Sequence, residues 1–544
     1  MTQDYDAIVI GAGHNGLVTA ALLAKAGFKT LVLERRDVLG GASATEEVFS
    51  GFKINTGADN AGLFRDEIID ELNLAAHGLA FRESEAAVFS PQPDGSALTL
   101  WRDEAKSVAE IGRFSSRDAE RYPDFVAEIN RMTEALSGML LLTPPELMER
   151  KASDGMAWGK FGLNLRRMGG KEMMEFMRVL PLPVSEYLNE WFESEALKGT
   201  LAAPAILGNQ LGVRGSGTTF MLLYQHANGF LRRRTVLGGI GQLPAALAAA
   251  AERHGAEIRL GTGVDHILLD DDRASGVVLA DAPEIGGTEI GPTEIRGRIV
   301  VSNADPRRTF FELVGPTNLE PRFMRQVRNI IFRGVTAKIN LALSGLPQFK
   351  GQTDASQLSG HIRISPSLEY LERAYDAGKY GNPSPNPILN MTIPTLLDPA
   401  LAPGGQHILS ITMQYAPYKL QSGKVAEGQS ESGWEDQRQR LGDVILDTLS
   451  QYAPDLKSLV LDRQILTPLD WEQTYSLTEG SIHHGQMSLD QLLIMRPVSG
   501  WSRYSTPIEN LFLCGAGTHP GGGVTGAPGY NAAREAIKAL RGNV

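Results

Sequence analysis

Three glycines near the start of the chain, Gly11, Gly13 and Gly16, have the spacing of a turn that holds a phosphate group. An apolar run at 7–10 precedes them and a run of helix-forming residues at 17–26 follows, so we predict a buried strand, a turn and a helix. In such a unit Gly11 permits the tight turn, Gly13 lets the backbone approach a pyrophosphate, and Gly16 lets the helix pack against the strand. The pattern alone can be a simple turn, but here it has the required flanking elements.

A second predicted strand, at 30–33, ends in Glu34, which lies 23 positions after Gly11. An acidic side chain at this place accepts the hydroxyl groups of an adenosine ribose. His14 and Asn15 stand at the predicted helix start, where free backbone N–H groups bind phosphate. Together with the glycine turn, these residues predict a dinucleotide-binding site.

The loop after Glu34 continues with Arg35 and then with Gly40, Gly41 and Ala42. A Gly-Gly pair at this distance is typical of proteins that bind FAD rather than a nicotinamide cofactor, since it lets the backbone lie against the cofactor. A plain Gly-Gly turn is the alternative. Val264 is a further candidate for FAD binding, because the edge of its predicted strand could present backbone atoms to an adenine ring.

The end of the chain carries a second glycine-dense loop, at 515–529, between a predicted buried strand and the terminal helix. This loop holds more glycine than an ordinary turn requires. The N-terminal end of the helix would suit the negative charge that reduction places on a flavin ring. We therefore expect both ends of the chain to build one FAD site, with cofactor-binding candidates here at Gly515, Ala516, Gly526, Ala527 and Asn531.

Composition limits the classes of function. The chain has 544 residues, with 52 Lys and Arg against 63 Asp and Glu, and a net charge of −11 argues against a nucleic-acid partner. Its single cysteine, Cys514, excludes an internal disulfide, a CxxC redox pair and a cysteine-rich metal site. We find no signal peptide and no apolar run long enough to span a bilayer, so we expect a cytoplasmic protein. Peripheral membrane contact and a homo-oligomer stay open.

The order of predicted elements indicates an α/β protein with a Rossmann-type FAD-binding domain built from discontinuous segments. An inserted α+β substrate domain, with a mixed sheet and helices, interrupts it. We assign the FAD-binding domain to 1–65, 230–306 and 479–544, and the substrate-binding domain to 66–229 and 307–478. A methionine-containing apolar face at 173–180 is either core or the wall of an apolar substrate channel. The Gly- and Ser-rich passage at 421–433 is expected to be mobile.

Few titratable residues stand out as catalytic, because a flavin carries the redox step itself. His519 lies in the terminal glycine loop and is the first candidate, although it could instead order that loop. His483, Tyr475 and Arg496 follow. The adjacent His483-His484 pair lacks the further ligands that a metal needs, so we expect no metal. Lys338, on a predicted strand, is expected to be solvated rather than to point into a cavity.

These stretches together resemble the phytoene dehydrogenase-related flavoproteins, which include carotenoid desaturases and isomerases. Within them the chain is most similar to the branch called pyridine nucleotide-disulfide oxidoreductase domain-containing proteins. The resemblance covers essentially the whole chain and is carried by 11–16, Glu34 with 40–41, 238–241, 301–306, 479–489 and 515–533. It implies tightly bound FAD, a nucleotide domain assembled from separated segments, and an apolar, often isoprenoid, substrate.

Three hypotheses follow for function. The first is an FAD-dependent dehydrogenase, desaturase or isomerase that acts on an apolar unsaturated substrate by hydride transfer to the flavin and uses an unknown electron acceptor. The second is a flavin amine oxidase, which would show an aromatic cage for the amine, and we find no Trp or Tyr pair at 515–530. The third is a flavin-binding interaction protein with little turnover.

Overall fold

The computed structural model describes residues 4–145, 169–280, 293–421 and 433–542, together with 158–159, 162–163, 166, 284–285 and 288–289. Most of the predicted mobile passage at 421–433 lies outside the described residues. The protein is α/β, as predicted. No helix in the described part of the chain is long and apolar enough to cross a bilayer.

Strands and helices alternate along the chain. The strands are β1 (Tyr5–Ile10), β2 (Thr30–Leu33), β3 (Thr45–Phe49), β4 (Phe52–Asn55), β5 (Phe81–Arg82), β6 (Ala86–Pro91), β7 (Ala97–Trp101), β8 (Thr235–Val236), β9 (Glu257–Arg259), β10 (Val264–Asp270), β11 (Arg273–Leu279), β12 (Glu284–Ile285), β13 (Thr288–Glu289), β14 (Glu294–Ser302), β15 (Thr336–Leu343), β16 (His361–Ile364), β17 (Ile388–Thr392), β18 (His407–Gln414), β19 (Val460–Leu466) and β20 (Leu511–Leu513). The α-helices are α1 (His14–Lys25), α2 (Asp66–Glu71), α3 (Glu104–Ile111), α4 (Ser116–Leu140), α5 (Gly170–Val179), α6 (Val184–Trp191), α7 (Glu195–Ala202), α8 (Thr218–Gln225), α9 (Gln242–Arg253), α10 (Pro306–Arg308), α11 (Pro321–Arg328), α12 (Leu368–Lys379), α13 (Trp434–Tyr452), α14 (Leu456–Leu459), α15 (Pro468–Tyr475) and α16 (Ala527–Leu540).

The first sheet is built around β1, which pairs in parallel with β2 on one side and with β14 on the other. Strand β9 extends the parallel sheet beyond β2, and β20 adds to the end of β14. The antiparallel pair β10 and β11 joins the beginning of β14. Because the parallel strands run in one direction, their carboxyl ends meet at one edge, where ligands of open α/β sheets bind.

The second sheet has the order β19-β15-β18-β17-β16-β6-β7, and only the β16–β6 pair in it is parallel. One face packs against α13 and forms a core in which Ile339, Ile362 and Ile411 are fully or almost fully buried. Because side chains alternate along a strand, the residues between these apolar ones face the other way. That opposite face carries polar and charged side chains.

Several predicted elements are confirmed at their stated bounds, among them the strands at 30–33 and 336–343. The sheets draw their strands from several separated segments, while the residue bounds of the two domains stay predictions. Two expectations about side chains are wrong. The methionine face is not simply core, since Met174 and Met177 are 65% and 59% exposed while Phe176 and Val179 are buried. Lys338 is not solvated but is 1% exposed.

Candidate active site

A cavity of about 860 Å³ lies between the two sheets. This volume is within the usual range for ligand sites. We call the part lined by the ends of β1, β2 and β10 the nucleotide end, and the part lined by β15 to β18 the inner end. Eleven residues that the sequence nominated for FAD line the cavity: Gly11, Gly13, His14, Asn15, Glu34, Arg35, Gly40, Gly41, Ala42, Val264 and Ala516.

The glycine turn after β1 forms a cradle that side chains would fill. Gly11 has a φ of +94°, and its N–H donates to the carbonyl of Leu33 at 2.7 Å. A Cβ added to Gly13 would lie 2.8 Å from Nδ2 of Asn303, and one added to Gly16 would lie 2.2 Å from the carbonyl oxygen of Gly11. Gly16 therefore supports the turn from behind rather than lining the cavity.

The N-terminal end of α1 is left free for an anion. Gly13 is its N-cap and supplies no side-chain cap, and the first turn carries no acidic residue. Backbone N–H groups at such an end have no partner within the helix, and the helix dipole favours negative charge there. The turn and the helix start together fit the pyrophosphate of a dinucleotide.

Glu34 lies at the end of β2, is 7% exposed and lines the cavity. Its Oε2 accepts the N–H of Ala12 at 2.8 Å, and its Oε1 accepts the N–H of Arg36 at 3.0 Å. Each carboxylate oxygen has capacity for a further hydrogen bond. The carboxylate is thus fixed by the backbone and fits the hydroxyl groups of a ribose.

We expect Glu34→Ala to weaken FAD binding about 10- to 100-fold, since hydrogen bonds to a charged group contribute about 1.5–3 kcal/mol and about 1.4 kcal/mol is tenfold. Titration of apoprotein with FAD, followed by quenching of flavin fluorescence, measures the change. Glu34→Gln, which keeps an acceptor oxygen, should lose less. Glu85→Ala, at an exposed carboxylate, serves as the control. Equal FAD affinity in Glu34→Ala and wild type would contradict the assignment.

The loop after β2 is tied to α15. Arg35 donates from Nη2 to the carbonyls of Gln473 and Thr474 at 2.9 and 2.8 Å. The guanidinium of Arg36 lies 5.1 Å from the ring centre of Tyr475 and pairs with Glu46, while its Nη1 is buried and has no hydrogen-bond partner among the described residues. Arg36, which the sequence did not nominate, is therefore a second cationic group at the nucleotide end.

The terminal loop contributes differently from the prediction. Ala516 lines the cavity, and so do Gly522, Gly523 and Val524, which the sequence did not single out. Four nominated residues do not line it: Gly515, Gly526, Ala527 and Asn531.

The N-terminal end of α16 is covered by protein, which is why these residues miss the cavity. A Cβ on Gly526 would lie 2.7 Å from the ring of Phe64, and Nδ2 of Asn531 donates to the carbonyl of Leu140 at 3.0 Å. A Cβ on Gly529 would lie 2.1 Å from the carbonyl oxygen of Asn15. The helix thus holds α1 in place rather than pointing at the ligand.

Of the nominated catalytic residues, His483 and Tyr475 line the cavity. Nε2 of His483 donates to the carbonyl of Leu207 at 3.2 Å, and burial lowers the pKa of its imidazole to about 4. Burial raises the pKa of Tyr475. Both side chains are therefore neutral at pH 7. His484 also lines the cavity.

Arg496 and His519 do not line the cavity, which corrects their nomination as catalytic groups. The guanidinium of Arg496, 2% exposed, donates to the backbone carbonyls of Ala516, Gln486, Gln491, His483 and Gly485. Nε2 of His519 donates to the carbonyl of Met139 at 3.1 Å, and burial lowers the pKa of the imidazole to about 4. Both residues hold the terminal loop.

We expect His519→Ala to retain FAD and turnover, while its free energy of unfolding falls by about 1–3 kcal/mol because a buried hydrogen bond is lost. Bound flavin per polypeptide, thermal melting and the rate of flavin reduction by substrate measure these three properties. A folded, FAD-loaded His519→Ala protein without turnover would restore the catalytic role.

The sequence missed the charged residues of the inner end. His361 and Arg363 alternate on β16 with the core residues Ile362 and Ile364, so they face the cavity. Asp59 also lines this end, and its Oδ2 accepts from Nζ of Lys338 at 3.4 Å. Alternation at 361–364 was the available signal. Among the described residues, no group of three or more His, Cys, Asp and Glu is placed to hold a metal ion.

The model of the family described as flavin containing amine oxidoreductase matches residues 16–537. The chain belongs to that family. Pyridine nucleotide-disulfide oxidoreductase domain-containing protein 2 of Rattus norvegicus is 36% identical over 99% of this chain and 94% of its own length. A limonene dehydrogenase polypeptide of Castellaniella defragrans is 30% identical over 99% and 95%, and phytoene desaturase of Fusarium fujikuroi is 27% identical over 95% and 86%. The resemblance to phytoene dehydrogenase-related flavoproteins is confirmed.

Solved structures show the same fold. An oxidoreductase from Methanosarcina mazei aligns with a TM-score of 0.61 at 15% identity and covers 98% of this chain and 100% of its own. Putrescine oxidase bound to putrescine aligns with a TM-score of 0.59 at 13% identity and covers 99% of each chain. The protein is thus an FAD-dependent oxidoreductase of this family, and the cradle at Gly11 to Gly16, the free start of α1 and Glu34 fit the adenosine and phosphate part of FAD.

Proposed function

We propose that the protein is a dehydrogenase or desaturase that removes two hydrogen atoms from carbon in a largely apolar, unsaturated substrate. Two relatives support this class by their names, a limonene dehydrogenase and a phytoene desaturase. FAD, when bound, supplies the acceptor for one hydrogen as a hydride. An external acceptor takes the two electrons in a later step.

The composition of the inner end carries the proposal. Its wall is largely aliphatic and includes Ala87, Val88, Ala203, Pro204, Leu207, Leu231, Ile388 and Leu389. Such a wall buries hydrocarbon favourably, at about 25 cal/mol per Å² of apolar surface. An unsaturated hydrocarbon chain is the substrate type that this wall favours.

Charge at the inner end disfavours the amine oxidase alternative. An amine substrate is protonated at pH 7, and here it would face the buried guanidinium of Arg363, which is 6% exposed. The nearby carboxylate, Asp59, already pairs with Lys338. The cavity-lining rings of Trp471 and Tyr475 lie 5.5 Å apart, but the cation of Arg36 already covers Tyr475. A second cation would therefore be repelled from this site.

The second hydrogen must leave the neighbouring carbon as a proton. Nδ1 of His361 is buried and has no hydrogen-bond partner among the described residues. Burial and the positive charges of Arg233 and Arg363 hold the pKa of His361 well below its usual value, so the imidazole is unprotonated. It can accept that proton, which leaves a double bond between the two carbons.

Anaerobic mixing of the holoprotein with limonene, methyl geranate or putrescine tests this function. We expect the visible absorption band of the flavin to bleach with limonene or methyl geranate and not with putrescine. The product should be lighter than its substrate by two hydrogen atoms in mass spectrometry. Bleaching by putrescine with no reaction of either unsaturated compound would favour an amine oxidase. A flavin that none of the three reduces, but dithionite does, would favour the interaction protein.

A further inference from the structure

We propose that the inner end of the cavity binds an anionic group, a carboxylate or a phosphate, carried by the otherwise apolar substrate. Four side chains form this site, which we call the basic cluster: Arg233, Arg363, His226 and His361. The inference rests on the proposed function in one respect only, namely that the inner end holds the substrate. It adds that the substrate is amphipathic and that its charge is negative.

The strand register brings polar side chains into one row that leads to the cluster. Lys338 on β15 pairs with Thr412 on β18, Thr412 pairs with Asn390 on β17, and Asn390 pairs with Arg363 on β16. Adjacent strands lie about 4.8 Å apart, so the row crosses the sheet over about 14 Å. Arg363, Asn390 and Thr412 line the cavity directly. Hydrogen-bonding groups thus continue across the floor of the inner end.

Arg363 is fixed but not neutralised. Its Nε donates to Oδ1 of Asn390 at 3.1 Å, and its Nη1 donates to the carbonyl of Thr200 at 3.1 Å. Both acceptors are uncharged, and Nη2 makes no hydrogen bond to the described residues. Burial and the charge of Arg233 lower the pKa of Arg363 to about 9, which indicates that two guanidinium groups lie within electrostatic reach of each other.

Arg233 is 3% exposed, and neither its Nε nor its Nη1 has a hydrogen-bond partner in the described part of the chain. Its neighbours in sequence differ, because Arg232 and Arg234 both pair with Asp66. Buried guanidinium groups are normally paired with an anion, since an isolated charge in the interior is strongly unfavourable. Arg233 therefore lacks the partner that its burial calls for.

The two imidazoles add hydrogen-bonding capacity without adding charge. Nδ1 of His226 accepts the N–H of Leu231 at 3.2 Å, so the neutral ring carries its hydrogen on Nε2, which is buried and has no partner among the described residues. His226 and His361 both line the cavity. An oxyanion can accept from each ring in the tautomer that places a hydrogen toward it.

Charge balance decides the sign of the missing group. Asp59 is the carboxylate that lines the inner end among the described residues, and it is bonded to Lys338. This leaves Arg233 and Arg363 without a counterion. The pyrophosphate of FAD does not serve them, because its cradle lies at β1 and α1 of the other sheet. A carboxylate or phosphate on the substrate completes the site.

Binding of four ten-carbon compounds to the FAD-loaded protein tests this proposal without turnover. Decanoate, decyl phosphate, decanol and decylamine share one chain and differ in their head group. Perturbation of the flavin absorption spectrum and the shift of the melting temperature report binding. We expect at least one of the two anions to bind 10-fold or more tightly than decanol, with decylamine weakest. The tighter of the two anions identifies carboxylate or phosphate as the natural group.

Variants locate the effect. Arg233→Met and Arg363→Met should each lose 10-fold or more in anion affinity while decanol binding is retained, and Asp59→Asn should gain several-fold. Arg233→Met should also raise the melting temperature of the protein without a ligand, because it removes an uncompensated buried charge. Arg463→Met, on β19 of the same sheet and paired with Asp443, is the matched control. If Arg363→Met fails to fold, Arg233→Met and Asp59→Asn still decide the matter.

The proposal is overturned if neither anion binds more tightly than decanol, or if Arg233→Met lowers anion and decanol affinity equally. Failure of the dehydrogenase proposal would be distinguishable, since binding in this assay needs no reaction. Anion binding without flavin reduction by any unsaturated compound would leave the basic cluster standing and remove the proposed reaction.

Discussion

Gly13→Val should fold but lose FAD. The backbone of Gly13 has φ −68° and ψ 164°, which valine can adopt, and the atom that a Cβ would approach is the side-chain Nδ2 of Asn303. That side chain can move, whereas a pyrophosphate that must contact the backbone at the start of α1 cannot. We therefore expect FAD affinity to fall by about 100-fold or more, equivalent to about 2.8 kcal/mol.

Flavin absorbance per polypeptide after purification measures this loss, and circular dichroism reports the fold. Gly404→Val is the matched control, because Gly404 is exposed, has no strained φ and has nothing within 4 Å of an added Cβ. A yellow, active Gly13→Val protein would refute the phosphate assignment.

Arg496→Met should lower the free energy of unfolding by at least about 3 kcal/mol. Its guanidinium donates to backbone carbonyls on both sides, from the 483–491 segment and from Ala516. Removing the donors leaves several buried carbonyl oxygens unsatisfied, each at about 1–3 kcal/mol. Since these two segments carry His483, His484 and Ala516 into the cavity wall, loss of order there should also weaken FAD binding.

Chemical denaturation and thermal melting measure the loss in Arg496→Met. Arg463→Met is the control, because Arg463 makes an ion pair at a partly exposed position, where such pairs contribute about 0–1 kcal/mol. A stable, FAD-loaded Arg496→Met protein that has lost only its turnover would instead support a catalytic role for Arg496.

The cofactor half of the site could be predicted from local sequence. The turn at Gly11 to Gly16 and the acid at Glu34 lie within one β-α-β unit, so spacing along the chain fixes their arrangement in space. The loop at 515–529 was harder. Its glycines do suit close packing, but Gly526 and Gly529 pack against Phe64 and Asn15 rather than against a ligand.

The inner end depends on pairing between distant strands. Lys338, Asn390, Arg363 and Thr412 come from separate parts of the chain and become neighbours only through the register of β15 to β18. Nothing in the local pattern around Lys338 distinguishes a solvated lysine from one buried beside Asp59. The Arg232-Arg233-Arg234 run likewise conceals one unpaired cation between two paired ones.

The basic cluster also refines the resemblance on which the function was first argued. The family resemblance implied an apolar substrate, and the aliphatic wall suits the hydrocarbon part of one. An excess of buried positive charge is not what a pure hydrocarbon requires. The combination fits an amphipathic unsaturated acid or phosphate, whose chain lies along the wall and whose anionic end reaches Arg233 and Arg363.

Anaerobic stopped-flow reduction of the holoprotein by geranate, methyl geranate and geranylamine tests the central claim most directly. The three compounds share one unsaturated chain and carry a negative, a neutral and a positive head group at pH 7. We expect geranate to bleach the flavin at the lowest concentration, methyl geranate to require more, and geranylamine to react least. Fastest reduction by geranylamine, with no reaction of geranate, would contradict both the reaction and the charge that we assign to the substrate.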